Sequence, residues 1–115
     1  MAQPIYKIAH KSDWEAAIAA GELVGTPIDL KDGYIHFSTA GQLAETLDKH
    51  YRGQADLILA TIDPALLTEP LRWEESRGGQ LFPHLYAVLP LSAVTRYRTL
   101  PARADGGFDL PEIEQ

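Results

Sequence analysis

Apolar and polar positions alternate, repeat or run together along this chain in ways that separate strands from helices. Ile5 to Ala9, after Pro4, predicts a first strand. Ser12-Asp13-Trp14-Glu15 has capping-box spacing, in which the serine hydroxyl and the glutamate carboxylate satisfy the first free amides of a helix. Trp14, Ala17 and Ile18 fall on that helix's inner face, and Gly21 is placed to end it. Pro27 to Gly33 reads as a loop, with Asp32-Gly33 as turn chemistry. Tyr34 to Ser38 alternates, with Ile35 and Phe37 on one face and Tyr34, His36 and Ser38 on the other. Ser38 or Thr39 then caps a second helix running to about Arg52, buried along Leu43, Leu47 and Tyr51 with Ala40 and Ala44.

The second half reads mostly as strand. Leu57 to Ile62 is apolar apart from Thr61, as a central strand covered on both faces requires. Asp63-Pro64 opens a short turn. Leu71 to Glu75 sets Leu71, Trp73 and Glu75 against Arg72 and Glu74, and Trp73 is assigned to the core. After a Gly78-Gly79 loop, Phe82 to Leu89 and Val94 to Leu100 complete a sheet of five or six strands. Two helices in the N-terminal half followed by strands define an α+β domain with a mostly antiparallel sheet, not an alternating parallel one.

The length of 115 residues allows one domain, taken as residues 1–100, followed by an acidic tail, 101–115. That tail holds four acids and one arginine, half of the net charge of −6, and reads as a solvated or loosely docked segment. The body is close to neutral, which argues against strong binding to nucleic-acid duplexes. With no cysteine there is no thiol nucleophile and no thiolate metal site. The longest apolar run in the first thirty residues is Ala16 to Ala20, too short for a signal peptide or a membrane span, so a cytoplasmic location is expected.

Chemistry is concentrated on strand faces. Side chains two apart on one strand stand about 7 Å from each other, so Tyr34, His36 and Ser38 line one groove. Free helix amides beyond Ser38 would favour an anion there. Phe82, His84 and Tyr86 share a second face, and Arg72 with Glu74 a third. Each has an ordinary alternative: strand histidines are often structural, and Arg72 with Glu74 could be a salt bridge on a wet face. His10 and His50 fit structural positions better. The histidine spacing matches no metal motif. A Ser38–His84–Asp hydrolase is conceivable, but the chain has no Gly-x-Ser-x-Gly elbow.

Gly33-Tyr34-Ile35-His36-Phe37-Ser38-Thr39 with Gln42, Leu71-Arg72-Trp73-Glu74 and Phe82-Pro83-His84-Leu85-Tyr86 together resemble a small bacterial and plant family, domain of unknown function 952, from about Ile5 to Leu100. The chain departs from that pattern at Lys7, where the family often has His, and at Ala87, where it often has Gly. The resemblance implies the ADP-ribosylation fold, a split and strongly bent sheet clasping NAD or a similar ligand. Ile35-His36-Phe37-Ser38, a helix, then Leu57 to Asp63 is also similar in order to NAD-dependent RNA 2′-phosphotransferases. The resemblance implies a nucleotide-like ligand, with NAD as substrate; the histidine spacing adds the expectation of no metal. Tyr34, His36, Ser38, Gln42, Arg72 and Tyr86 would bind it, and Glu74 and His84 would be catalytic. An ADP-ribosyl- or 2′-phosphotransferase-like enzyme is one expectation. A non-catalytic interaction or regulatory module is the other.

Overall fold

Leu57–Ile62 lacks a polar face, and it forms the middle strand of a three-stranded antiparallel sheet. The computed structural model describes residues 3–75 and 79–110. In chain order the elements are β1 (Ile5–His10), α1 (Lys11–Ala20), β2 (Glu22–Leu23), α2 (Pro27–Asp32), β3 (Ile35–His36), α3 (Leu43–His50), β4 (Leu57–Ile62), β5 (Arg72–Glu75), β6 (Leu81–Leu85), β7 (Leu89–Pro90) and β8 (Val94–Leu100). Single 3-10 turns occupy Ala40–Gln42, Pro64–Leu66 and Leu91–Ala93. The architecture is α+β with antiparallel sheets in the orders β1-β4-β8, β3-β6-β5 and β2-β7. No described helix is long and apolar enough to cross a membrane.

The expected single sheet is divided. The two three-stranded sheets meet at one bridge, where the Tyr6 N–H donates to the Ser38 carbonyl at 2.8 Å and the Ser38 N–H returns to Tyr6 at 2.9 Å. Next to that bridge a side chain takes over from the ladder, because Lys7 Nζ donates to the His36 carbonyl at 3.0 Å. Each face of β1-β4-β8 covers its own core. Ile5, Ala9, Ile58, Ala60 and Ile62 pack with Trp14, Ile35, Phe37 and Leu85. Tyr6, Ile8, Leu57 and Leu59 pack with Leu43, Leu47, Leu100 and Phe108.

Several local expectations are corrected. Pro27 to Gly33 is helix, not loop: Thr26 is its N-cap, Pro27 starts it, the Asp29 carboxylate accepts from Thr26 N at 2.8 Å, and left-handed Gly33 ends it. Ser12 lies inside α1, which begins directly after extended His10 without a side-chain cap. Ile18 is exposed because α1 buries only Trp14 and Ala17. Of the two cap candidates, Thr39 is the N-cap, of the 3-10 turn that leads into α3, and Ala44 faces outward. Phe82 to Leu89 breaks into β6 and β7. Trp73 is 48% exposed, since β5 is the sheet's edge strand and the Trp73 face is left open. The tail docks over its described part: Phe108 enters the second core, Ala102 bridges Phe108, and the Gly53 N–H donates to the Gly106 carbonyl. Residue 78 of the Gly-Gly loop and residues 111–115 lie outside the described residues.

Candidate functional site

Antiparallel register builds the site. On β3-β6-β5, His36 pairs with His84 and His84 pairs with Arg72, so three chemically active side chains share one rung and one face. The two imidazoles are 5.4 Å apart, edge to face. Tyr34 lies stacked on His84 at 4.2 Å and packs against His36 at 4.6 Å and Tyr86 at 5.0 Å. The Arg72 guanidinium sits over the Tyr86 ring, 4.5 Å from its centre.

The two histidines are held differently. His84 is buried, and its Nδ1–H donates to Glu74 Oε1 at 2.8 Å. The Tyr86 hydroxyl donates to the same oxygen at 2.8 Å. These bonds, His84's first, hold Glu74 below the usual carboxylate range. With Nδ1 donating, a neutral His84 ring has Nε2 as its acceptor, the arrangement of a carboxylate-oriented base. His36 instead faces carboxylates on both sides: Nδ1 is 2.6 Å from Asp29 and Nε2 is 2.9 Å from Asp32. Both ring nitrogens of His36 therefore point at carboxylate oxygens.

Asp29 is the hub. It is 2% exposed and takes hydrogen bonds from Lys7 Nζ, the Thr26 and His36 amides, and the His36 ring. Burial pushes its carboxyl up, but the bonds from His36 and Lys7 prevail and hold it well below the usual range. Burial pushes the Lys7 ammonium down, against the pull of Asp29 2.7 Å away. Gly25 makes room for this hub. Its φ is +140°, and a Cβ there would fall 2.9 Å from that of Asp29.

A cavity of about 530 Å³ opens beside the rung. His36, Ser38 and His84 line it with Lys7 and Asp32, and residues of α3's end (His50, Tyr51 and Gln54) line it too. Its volume falls within the range of small-molecule pockets. Of the eight residues picked from sequence, His36, Ser38 and His84 line the cavity. Tyr34, Arg72, Glu74 and Tyr86 surround His84 without lining it. Gln42 serves the fold instead, accepting from Thr39 N and donating to the Leu81 carbonyl. Lys7, Asp29 and Asp32 join the site without being among those eight. The signal for Asp29 was Thr26-Pro27-x-Asp29, an N-cap followed by proline at N1 and an acid at N3.

An α+β fold built on two bridged antiparallel sheets, with a histidine–carboxylate site between them, defines the class. The chain matches the family described as "Protein of unknown function (DUF952)" over residues 8–97 and belongs to that family. It is similar to protein CC0527 from Caulobacter crescentus. That protein's X-ray structure shares 47% identity and a TM-score of 0.87, covering 93% of this chain and 94% of that one. Its solution NMR structure gives 48% and 0.80, with 90% of each chain covered. No curated protein matches the chain.

Proposed function

We propose that the protein binds NAD, ADP-ribose or another phosphorylated nucleotide in the cavity beside His36 and His84, as an ADP-ribosyl- or 2′-phosphotransferase-like enzyme. One observation carries this reading: a cavity of about 530 Å³ borders a rung on which a carboxylate-oriented histidine stands next to an exposed arginine. His84 Nε2 would accept a proton from an attacking hydroxyl, and Glu74 positions that ring through Nδ1. Arg72 and Tyr86, exposed past His84 and outside the cavity lining, would meet the part of a ligand that extends beyond it, Arg72 turning its planar fork to a phosphate. The division of the sheets at the Tyr6–Ser38 bridge supports the ADP-ribosylation-like resemblance of the sequence.

Titrating the full chain with NAD, ADP-ribose, nicotinamide and 2′-phosphorylated nucleotides, by calorimetry and thermal shift, tests the reading. A ligand present at a hundred times its Kd should stabilise the fold by about 2.7 kcal/mol. Its binding should weaken at least tenfold in Arg72→Ala and His84→Ala. Absence of binding by all four would overturn it. A second reading, a protein-interaction module, draws on Trp73 and Leu81, which are 48% and 54% exposed on the face opposite Arg72 and His84. A partner lost on Trp73→Ser while every nucleotide fails to bind would favour that module.

A further inference from the structure

The cavity's lysine and His36 are already engaged. Lys7 is the one lysine or arginine among the described lining residues, and its three N–H directions go to the two Asp29 oxygens and the His36 carbonyl. His36 Nδ1 is held by the same buried Asp29. His36 Nε2 remains, and it meets Asp32 Oδ2 at 2.9 Å. Asp32 differs from Asp29 in every respect that matters for exchange. It is the last residue of α2, its side chain is 36% exposed, it lines the cavity, and left-handed Gly33 follows it. A carboxylate resting on a ring nitrogen at a cavity wall occupies the position that a ligand oxyanion would take.

We infer that His36 Nε2 is the anion subsite of the cavity, that its ligand group is a phosphate, and that Asp32 holds the position until a phosphate displaces it. The inference rests on the nucleotide reading above and adds which atom takes the phosphate and what must leave. Asp29 and Lys7 form a buried pair that stays fixed, so the ring keeps its direction while its outer partner changes. The exchange replaces one N–H···O contact by another of the same kind, and the released Asp32 turns to solvent. α2 is suited to such a departure, because its only buried side chain is Asp29 while Ile28 and Leu30 face outward, 49% and 62% exposed. A phosphate is favoured over a carboxylate ligand because it brings more charge and more acceptor oxygens to one donor, and so can outcompete Asp32.

The probe is inorganic pyrophosphate, titrated by calorimetry into wild type, Asp32→Ala, His36→Gln and the double variant, with ADP-ribose in parallel. Asp32→Ala should bind pyrophosphate about tenfold more tightly than wild type, and that gain should vanish when His36→Gln is added. A gain that persists without His36 would be a through-space charge effect and would overturn the subsite. An unchanged or weaker affinity in Asp32→Ala would overturn it as well. In 15N spectra of wild type, pyrophosphate should shift the His36 Nε2 signal and leave Nδ1 in place; a shift at Nδ1 alone counts against it. ADP-ribose binding equally to wild type and Asp32→Ala sinks the subsite but leaves the nucleotide reading standing. Pyrophosphate behaving as expected while no nucleotide binds does the reverse.

Discussion

The sheets β1-β4-β8 and β3-β6-β5 have the same strand number and the same antiparallel pairing, yet they are built for different ends. The first has a middle strand of six residues, buried at every position but Thr61, and covers a core on each face. The second pairs β3 over only two residues and gives one face to His36, His84, Arg72 and Glu74. Burial on both faces leaves no room for chemistry, and a polar face contributes little to stability. Stability and reactivity are therefore separated by sheet. Lys7 is the exception, a charge in the apolar row Ile5–Lys7–Ala9 that ties the first sheet to the second through Asp29 and the His36 carbonyl.

That tie predicts the largest single effect. Asp29→Ala leaves Lys7 buried without a counter-charge, which should cost about 3–5 kcal/mol in denaturant melts. The double variant Lys7→Met, Asp29→Leu should recover most of that loss while leaving His36 unanchored and ligand binding weak. The pair also sets an acid limit. Asp29's pKa is depressed in the folded state, so its stabilisation is present above its unfolded value of about 4 and is lost as pH falls below it. Flat stability on acidification through that range in wild type, or an Asp29→Ala cost under about 1 kcal/mol, would break the idea that one ion pair joins the sheets.

Within the first sheet, Leu57→Ala should cost about 3 kcal/mol, since Leu57 is fully buried between β1 and β8 and its cavity cannot fill. A loss below about 1 kcal/mol would erase the contrast with the polar sheet. Tyr51 gives the next effect. Its hydroxyl is pushed up to about 12, by burial and then by the charge of Asp29. A raised pKa keeps the folded state protonated after the unfolded chain has ionised. Stability is therefore intact below about pH 10 and falls by about 2 kcal/mol as pH rises toward 12. Tyr51→Phe should remove that alkaline loss.

The difference between the sheets also decided what the sequence could tell. Leu57–Ile62 and Val94–Leu100 were legible because a short apolar run and a stretch rich in β-branched and aromatic residues both suit strands. The rung of His36, His84 and Arg72 was legible as three separate faces, since alternation says which side a residue takes but not which strand lies alongside. α2 was not legible by period, because its buried side chain is an aspartate and its apolar residues point outward; only its capping chemistry marked it. Lys7 stood out only as a departure from the family pattern, and its ion pair was not legible because Asp29 is 22 positions away. Phe108 could be seen as a docking residue in principle, but its docking depends on α3 and β8.

The smallest effect on stability, at Glu74, tests the polar sheet most directly. Glu74 lies on an edge strand with its carboxylate reaching solvent, and both of its partners bond one oxygen, Oε1. Glu74→Gln keeps an acceptor oxygen for the His84 Nδ1–H, whereas Glu74→Val removes it. Glu74→Gln should leave the denaturant midpoint in place, and Glu74→Val should lower stability by about 1 kcal/mol, because buried His84 loses its acceptor. The ring itself should respond. With Glu74 or Gln the His84 proton stays on Nδ1; with Val it redistributes toward Nε2, which 15N shifts of the imidazole distinguish directly. If His84 acts through Nε2 as acceptor, activity or ligand affinity should fall in Glu74→Val and return in Glu74→Gln. A Glu74→Val protein with an unchanged His84 tautomer would mean that the bond from Nδ1 to Glu74 does not set the ring's proton, and the positioning role of the edge strand would fall.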